Sequence, residues 1–233
     1  MARRRDALAA VNAGFFGTSG DPAGIFKLNG GATTRTEGEG VEWTLEGAPL
    51  RVTRIARATA ASPSPSAIPR AGVVLSASGA IPPALARLKR GAAVSLSFTY
   101  DTALGTAPAD WQGADDIVGG AGLLIWRGTE ITDWAAERLQ GAFVTTRHPR
   151  TIIGRDGEGD TWLVVIDGRQ PGHSVGMTLT ELTAFARRAA FVDALNLDGG
   201  GSTTMVVKGK IVNRPSDPIG PRPVSDAIVV LSR

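Results

Sequence analysis

Residues 194–207 read Ala194-Leu-Asn-Leu-Asp-Gly-Gly-Gly-Ser-Thr-Thr-Met-Val-Val207, and this stretch indicates the fold. An apolar segment ends at Asp198, three glycines and three hydroxyl residues follow, and a second apolar segment begins at Met205. Short apolar segments separated by a glycine-rich loop are typical of strands in sheets. The glycines lack Cβ, so their backbone can turn N–H groups toward an anion. The loop is therefore a candidate phosphate or sugar site, and the alternative is a glycine-rich hairpin or strand exit.

The segments on either side of this loop predict more strands and one helix. Thr178-Leu-Thr-Glu181 is a capping box, which opens a helix that extends to about residue 190. Leu182 and Phe185 lie on the apolar face of that helix, which is therefore expected to pack against other elements. Apolar segments predict strands at 123–126, 143–146, 151–154, 162–166, 205–207, 211–212 and 227–231.

The composition agrees with a folded protein built from strands and turns. The 233 residues are 42% hydrophobic and 20% charged, which allows a sizeable core and argues against disorder. The 30 glycines and 14 prolines favour many short strands over a helical bundle. We predict an α+β fold with β-rich mixed sheets and a few packing helices, in a single domain over residues 1–233. The proline- and serine-rich segment 61–70 is interpreted as a surface loop of that domain.

Composition also argues against several function classes. The chain has no cysteine, which excludes disulfides, thiolate zinc sites and cysteine nucleophiles. Its formal charge is +3 and its basic residues are scattered, so we expect no nucleic-acid partner. No apolar run approaches the ~20 residues that span a bilayer. The basic start of the chain is not followed by the apolar segment of a signal peptide.

Two apparent catalytic motifs are rejected by the residues around them. Gly172-His-Ser-Val-Gly176 matches the nucleophile elbow of α/β-hydrolases, but Pro171 separates it from the preceding strand and no histidine follows Ser174. The glycine loop lacks the lysine of a P-loop. Two histidines on different segments, without cysteine, disfavour a tetrahedral zinc site, whereas a carboxylate-bound divalent cation stays open.

Four other segments carry polar residues that suit substrate binding. Arg147-His-Pro-Arg-Thr151 places two guanidiniums near the start of a strand, and a planar guanidinium matches phosphate oxygens bidentately. Asp167-Gly-Arg169 follows an apolar strand, where a loop can present both charges to a cleft. The remaining two are Asn12-Ala-Gly-Phe-Phe16 and Arg222-Pro-Val-Ser-Asp226. Taken singly, each segment also has a structural explanation. The segment 147–151 is then a solvated turn and 167–169 a local ion pair, while 12–16 belongs to the core and 222–226 is a surface turn.

Taken together, these segments resemble the phosphodiester glycosidase family, whose best-known member is the lysosomal uncovering enzyme, and within it the bacterial branch. The resemblance rests on six ordered segments: the four above, Ser174-Val-Gly-Met-Thr178, and residues 196–204. It extends from about residue 11 to the C-terminus and is strongest over 142–231. Ala13 stands where a second glycine is common. The family implies hydrolysis of a sugar-1-phosphodiester of the N-acetylglucosamine-1-phosphodiester type, with release of the sugar.

The resemblance also implies roles for individual residues. Asp198 and Asp167 are the candidate catalytic carboxylates, and Asp198 is preferred. Arg147 and Arg169 would bind the phosphate electrostatically. The other expected substrate-binding residues are Asn12, Gly199, Gly200, Gly201, Ser202, Thr203, Arg222 and Asp226. Because phosphate is a good leaving group, one carboxylate can suffice for the chemistry. No cofactor is expected, and the expected partner is a sugar phosphate diester or a cell-envelope glycan.

Two alternatives stay open at this point. One is a noncatalytic module that binds glycans or phosphoglycans, and the other is a metal-dependent phosphodiesterase that cuts a P–O bond. The sequence does not distinguish cleavage of C1–O from cleavage of P–O, or retention from inversion. Family members usually carry further residues before the segment at 12–16, often with an export signal. This chain is therefore expected to be N-terminally truncated, and a cell-envelope or exported location is expected from the resemblance alone.

Overall fold

The computed structural model of the protein describes residues 7–16, 26–28, 31–33, 39–59, 66, 69, 72–97, 114 and 116–232. The chain divides into two compact units. The first combines Met1–Phe16 with Gly119–Arg233, and the second consists of Gly17–Val118. The second unit is thus inserted between two segments of the first.

The described residues form short strands and few helices. The strands are β1 Ala9–Asn12, β2 Phe26–Leu28, β3 Gly31–Thr33, β4 Gly40–Glu46, β5 Arg51–Ala58, β6 Gly72–Ser78, β7 Leu123–Trp126, β8 Thr129–Glu130, β9 Arg150–Asp156, β10 Thr161–Ile166, β11 Phe191–Asn196, β12 Met205–Val207, β13 Lys210–Ile211 and β14 Ala227–Val230. The helices are α1 Pro83–Ala86, α2 Ala142–Thr145 and α3 Leu179–Arg188, with 3₁₀ turns at Ala135–Glu137 and Gly200–Ser202.

The described residues of each unit form two sheets. In the first unit the strand orders are β13-β12-β1-β14 and β10-β9-β11-β7-β8, and in the second they are β5-β4-β6 and β2-β3. The α+β fold class is confirmed. The prediction of mixed sheets is wrong, because the paired strands of the described chain are all antiparallel. The assignment of residues 1–233 to one domain stays a prediction.

A hairpin and a helix build the core of the first unit. The turn between β9 and β10 is fixed by the Asp156 carboxylate, which accepts the backbone N–H of Glu158 at 3.0 Å and of Asp160 at 2.9 Å. Side-chain acceptors of this kind stabilise tight turns. The core consists of Leu124, Ile125, Trp134, Ile152, Leu179, Leu182, Ala186, Phe191 and Ala194. It lies where α3 packs against the five-stranded sheet.

The helix α3 begins where the capping box predicts. The Thr178 hydroxyl accepts the Glu181 N–H at 3.1 Å, and the Glu181 carboxylate accepts the Thr178 N–H at 3.0 Å. Leu182 and Ala186 are fully buried against the sheet.

Within the part of the chain that the structure describes, no helix is both long enough and apolar enough to cross a bilayer.

The second unit has a separate core around a hairpin. Strands β4 and β5 pair from Gly40 with Ala58 to Glu46 with Arg51, with a shift in register between Thr44 and Leu45. Strand β6 pairs with the other edge of β4. Trp43, Leu45 and Val52 form the buried centre. Of the segment 61–70, only Ser66 and Pro69 belong to the described residues, so its interpretation as a surface loop stays a prediction.

The strand predicted at 143–146 is wrong, because residues Ala142–Thr145 form the helical turn α2. The Gly141 carbonyl accepts the N–H groups of Val144 and Thr145 at 3.1 and 3.0 Å. The Arg150 guanidinium binds the carbonyls of Phe143 and Thr146 from outside the turn. A tertiary contact therefore overrides the strand preference of these residues.

Candidate active site

The end of strand β1 is the centre of the site. The buried Asn12 side chain donates from Nδ2 to the Asp198 carbonyl at 2.6 Å. Its Oδ1 accepts the Thr151 hydroxyl at 2.8 Å and the Thr204 N–H at 3.2 Å. Asn12 thus joins β1, β9 and the glycine loop, and the two lone pairs of Oδ1 are both used. The Asn12 side chain therefore holds these three segments together inside the protein.

The next two residues hold two aspartates. The Ala13 carbonyl accepts the Asp198 N–H at 2.9 Å, and the Ala13 N–H donates to the Asp226 carbonyl at 3.4 Å. The Gly14 N–H donates to Asp226 Oδ1 at 2.7 Å. Asp198 and Asp226 both lie far along the chain from Ala13 and Gly14. The backbone of these two residues therefore holds both aspartates in place.

The environment of each carboxyl favours its protonated form. Burial raises the pKa of Asp198, although the Ser202 hydroxyl, the Gly199 N–H and the positive charge of Arg222 oppose the shift. Burial also raises the pKa of Asp226; the Gly14 N–H lowers it, and the nearby charge of Asp198 raises it. Two carboxyls that interact in this way do not both ionise readily, so one of them retains a proton more easily.

Asp226 is the better candidate for that proton. Its side chain is only 6% exposed, and its Oδ2 is buried with no hydrogen-bond partner among the described residues. Asp198, by contrast, accepts the Gly199 N–H at 2.8 Å and lies near Arg222, both of which favour its charged form. Of the two carboxyls, Asp226 thus retains a proton more readily than Asp198.

The backbone of the glycine loop is bound differently from the predicted anion nest. The Gly199 N–H donates to the Asp198 carboxylate, and the Gly200 N–H donates to the Pro149 carbonyl at 2.9 Å. These two donors are therefore used inside the protein. The prediction that all three glycines bind substrate through N–H groups is not supported for these two.

The glycines instead allow two guanidiniums to approach the backbone. Gly200 has φ +61°, and a Cβ on it would lie 3.0 Å from each Nη atom of Arg169. A Cβ on Gly201 would lie 2.4 Å from Arg222 Nη2 and 2.2 Å from Asp217 Oδ1. Any larger residue would displace these charged groups. The loop is therefore flanked by two guanidiniums. Arg169 is one of the two predicted phosphate-binding arginines, and Arg222 is one of the other predicted substrate-binding residues.

The two arginines differ in their partners. Arg222 forms a bidentate ion pair with Asp217, at 2.9 and 3.2 Å. Arg169 donates to His148 Nδ1, a neutral acceptor, and forms no ion pair within the described residues. Arg169 therefore carries the charge that a bound anion would neutralise.

The hydroxyls that follow the glycines are buried. Ser202 is fully buried, and its Oγ makes no hydrogen bond of good geometry to the described residues, although it lies near enough to Asp198 to lower the pKa of that carboxyl. Thr203 Oγ1 lies 3.5 Å from Thr151 Oγ1. Ser202 is thus the hydroxyl that lies near Asp198, whereas the Thr203 hydroxyl lies near Thr151 on β9.

Asp167 lies beside the site in a network of its own. Its carboxylate accepts His173 Nε2 at 3.0 Å, Asn213 Nδ2 at 3.0 Å and the Arg214 N–H at 3.1 Å. Burial would raise the pKa of Asp167, but these hydrogen bonds outweigh it and hold the pKa below its ordinary value. The catalytic role of Asp167 stays a prediction, and its contacts resemble those of a carboxylate that supports a loop.

The two arginines of the segment 147–151 have different partners, and neither contacts Asp198 among the described hydrogen bonds. Arg147 is exposed and pairs with the Glu181 carboxylate, whose pKa this contact lowers to about 2. Arg150 is buried and donates to the Met177 and Phe143 carbonyls, each at 2.9 Å. Burial and then the charge of Arg169 lower the pKa of Arg150 to about 10. The structure thus does not bring Arg147 into the contacts around Asp198.

Comparison with known proteins decides the family. The model of the phosphodiester glycosidase family matches residues 48–231, which is most of the chain. The chain belongs to the phosphodiester glycosidase family. The match includes the glycine loop, Arg169, Asp198 and Asp226, and the resemblance inferred from the sequence is confirmed.

Curated relatives of this phosphodiester glycosidase family member match over shorter segments. The mouse N-acetylglucosamine-1-phosphodiester alpha-N-acetylglucosaminidase is 41% identical over 75 residues, which are 32% of this chain and 14% of the mouse protein. The SPbeta prophage-derived uncharacterized protein YomE of Bacillus subtilis is 31% identical over 106 residues, 46% of this chain and 16% of that protein. The aligned part thus spans about a seventh of the length of these relatives.

Solved structures of similar fold cover nearly the whole chain. A hypothetical protein from Synechocystis has a TM-score of 0.70 at 22% identity, covering 97% of this chain and 52% of its own. The zebrafish N-acetylglucosamine-1-phosphodiester alpha-N-acetylglucosaminidase catalytic domain, auto-inhibited by its pro-peptide, has a TM-score of 0.58 at 21% identity, covering 100% and 66%. At such identities the similarity establishes the fold.

The described residues bring together no group of three or more histidine, aspartate and glutamate side chains with the spacing of a metal site. The expectation of no cofactor stays a prediction, as does the open question of a divalent cation.

Sequence reasoning missed three residues that shape the site. His148 contacts Arg169, Asp217 pairs with Arg222, and Asn213 Nδ2 binds both Asp167 and the Thr203 carbonyl. His148 lies next to Arg147, within the segment 147–151 that predicts substrate binding. Asn213 and Asp217 lie in a proline-containing loop whose composition is typical of any turn, so no local pattern distinguishes them.

Proposed function

We propose that this protein hydrolyses sugar-1-phosphodiesters at the C1–O bond and releases the free sugar and a phosphomonoester. The observation that carries the proposal is the pairing of Asp198 with Asp226 by the turn at Ala13 and Gly14, beside a loop flanked by two guanidiniums. Paired carboxyls of unlike protonation are the groups that glycoside hydrolysis uses.

Binding of the diester is assigned to the arginines. The phosphodiester carries one negative charge, and Arg169 is the guanidinium at the loop that no carboxylate neutralises among the described residues. A fixed guanidinium also stabilises the second negative charge that develops on the phosphate as the C1–O bond breaks. Arg222, already paired with Asp217, would hold Asp198 in its charged form.

The two carboxyls take different roles in the bond exchange. The anionic Asp198 stabilises the positive charge that develops at C1, and the phosphate departs with the electrons of the C1–O bond. A water oxygen then bonds to C1 and loses one proton, which passes to the carboxyl pair and from there to solvent. Asp226, which is buried and whose Oδ2 has no hydrogen-bond partner among the described residues, holds the proton that the pair shares.

The substrate class follows from the relatives. The mouse relative is named for N-acetylglucosamine-1-phosphodiester and alpha-N-acetylglucosaminidase activity, so we propose this sugar-1-phosphodiester as the first substrate to test. We also propose that the natural substrate is a cell-envelope glycan. An exported location is supported by the similar fold of a Burkholderia pseudomallei protein described as exported, with a TM-score of 0.67 at 21% identity.

The deciding experiment follows the products of a panel of sugar-1-phosphodiesters in ¹⁸O-labelled water. Wild type is expected to release free sugar and an unlabelled phosphomonoester, because water attacks carbon and the phosphate keeps its original oxygens. Asp198→Asn is expected to lower kcat by at least about a hundredfold, the usual scale for loss of a catalytic carboxyl. Asp160→Asn, the same change at an exposed hairpin turn, is the matched control and should leave kcat unchanged.

Each other outcome favours a different function. Label in the phosphate means attack at phosphorus, and activity lost with a chelator and restored by a divalent ion then identifies a metal-dependent phosphodiesterase. Folded protein that binds the panel without turnover identifies a noncatalytic glycan-binding module. Full activity in Asp198→Asn removes Asp198 from the mechanism.

A further inference from the structure

We propose that His148 is the positioning residue of Arg169: its unprotonated imidazole accepts the guanidinium and holds it against the glycine loop, so that anion binding there is lost when the imidazole is protonated. This inference rests on the proposed function, in which Arg169 binds the phosphate of the diester. It adds a residue and a pH dependence to that function.

The contact between the two side chains fixes the state of the imidazole. Arg169 Nε and Nη2 lie 3.3 and 3.1 Å from His148 Nδ1. A guanidinium has donors only, so Nδ1 must be the acceptor and carries no proton. The ring is therefore neutral, with its proton on Nε2. An imidazolium in the same place would turn a donor toward the guanidinium and break the contact.

The position of His148 is set by its backbone rather than by the ring contact. Its N–H donates to the Met177 carbonyl at 3.2 Å, and its carbonyl accepts the Met177 N–H at 3.0 Å. Gly176 permits this pairing, since a Cβ there would lie 2.3 Å from the His148 carbonyl oxygen. The imidazole is thus a fixed point against which the longer Arg169 side chain is oriented.

Arg169 needs such a fixed point. It is exposed, its backbone adopts the left-handed region with φ 57°, and its guanidinium lies against Gly200. Arginine has several rotatable bonds, and holding them in one conformation costs entropy. A neutral acceptor on the inner side orients the group without neutralising its charge, whereas a carboxylate would compete with the substrate phosphate.

The charges around the ring oppose its protonation. The charged groups that face it are the guanidiniums of Arg169, on the loop after β10, and Arg150, on β9. Burial is the largest cause that lowers the pKa of His148, and the two arginines lower it further; a hydrogen bond with the backbone of Ala142, on α2, opposes them. The unprotonated ring therefore persists to more acidic pH than in a free histidine.

The first test observes the imidazole directly. The chain has only two histidines, so ¹H–¹⁵N spectra of the rings are assigned with His148→Asn. We expect Nδ1 of His148 to be unprotonated and the pKa of His148 to rise in Arg169→Ala, with the His173 signals as internal reference. Added inorganic phosphate should shift the His148 signals in wild type but not in Arg169→Ala. A protonated Nδ1 at neutral pH, or a His148 titration indifferent to Arg169→Ala, overturns the proposal.

The second test separates positioning from stability through KM. His148→Phe removes the acceptor and is expected to raise KM for the hydrolysed phosphodiester about tenfold, as loss of a hydrogen bond to a charged group does. It should lower kcat as well, because Arg169 also stabilises the charge that develops on the phosphate. His148→Asn keeps an acceptor that does not titrate, so KM should stay near wild type and lose its rise at acidic pH. Thermal unfolding of both variants checks that they are folded.

The two proposals fail separately. The role of His148 is overturned if KM is unchanged in His148→Phe, or if KM of His148→Asn rises at acidic pH as it does in wild type. Neither result affects the proposal that the protein hydrolyses phosphodiesters. If wild type hydrolyses nothing in the panel, the proposed function fails. The phosphate-dependent imidazole shift then decides alone whether His148 and Arg169 form an anion site.

Discussion

At the scale of single residues, the site places groups where their ionisation is unfavourable. Asp226 is buried and Asp198 is half-buried, and burial raises the pKa of each. Asp226 Oδ2 has no hydrogen-bond partner among the described residues, and a buried polar atom of this kind destabilises the folded state. Evolution toward stability alone would remove it. The presence of the two carboxyls next to Arg169 and the glycine loop supports the catalytic role proposed for them.

Asp226→Asn is expected to lower kcat by about a hundredfold or more, if Asp226 holds the shared proton. The free energy of unfolding, unlike kcat, should not fall in this variant. A carboxyl whose pKa is raised in the folded state binds its proton more tightly there than in the unfolded chain, so its contribution falls as pH rises. The variant should therefore be at least as stable as wild type at pH 7, with the advantage disappearing as pH falls. Urea unfolding at several pH values measures this.

Asp167→Asn is the comparison variant, because the pKa of Asp167 is lowered in the folded state. The Asp167 carboxylate contributes to the free energy of unfolding at pH values above its pKa in the unfolded chain, and this contribution is lost as pH falls through its pKa in the folded state. Asp167→Asn should therefore be less stable than wild type at pH 7. Equal pH profiles for Asp167→Asn and Asp226→Asn would contradict the assigned environments. Unchanged kcat in Asp226→Asn would remove it from the proton-sharing pair.

At the scale of elements, local signals predicted those parts whose hydrogen bonds are local. The capping box predicted the start of α3 because both partners lie within four residues of one another. The strand predicted at 143–146 failed because the segment's carbonyls are bound by Arg150, which the local pattern does not show. The helix α3 matters for function because it packs against the sheet whose strands β9 and β11 lead into the site.

Thr178→Ala removes the hydroxyl that accepts the Glu181 N–H at the start of α3. We expect a loss of about 1 kcal/mol in the free energy of unfolding, the typical value for an N-cap. Thr180→Ala is the matched control, because Thr180 is exposed within the first turn and alanine favours the helix. Chemical unfolding of the two variants tests this, and an equal effect of both changes would contradict the capping role.

At the scale of the whole molecule, the predicted site residues all belong to one of the two compact units. Asn12 comes from the segment before the insertion, and the rest come from the segment after it. The two segments meet within the unit, since a Cβ on Gly14 would lie 3.3 Å from the Gly119 carbonyl oxygen. The unit also has its own hydrophobic core.

A chain in which a short Gly-Ser linker replaces residues 17–118 is therefore expected to fold. A linker of about six residues spans roughly 20 Å, which is ample for two segments in contact. Cooperative thermal unfolding, followed by near-ultraviolet circular dichroism, measures the outcome. Leu182→Ala in the same chain should lower stability by about 2–5 kcal/mol, as in any packed core. Absence of a cooperative transition would show that the first unit depends on the inserted one.

The sequence by itself determined the fold class, the cap of α3, the strands β9 and β10, and the family. These follow from hydrophobic periodicity, turn chemistry and ordered segments, all of which are properties of short stretches of chain. Tertiary structure alone decided which carboxyls are neighbours, because Asp198 and Asp226 meet only through the backbone of Ala13 and Gly14. It likewise sent Arg147 to Glu181 and placed Arg169 between His148 and Gly200. Distance in space and burial set pairing and pKa, and neither is a property of residue order.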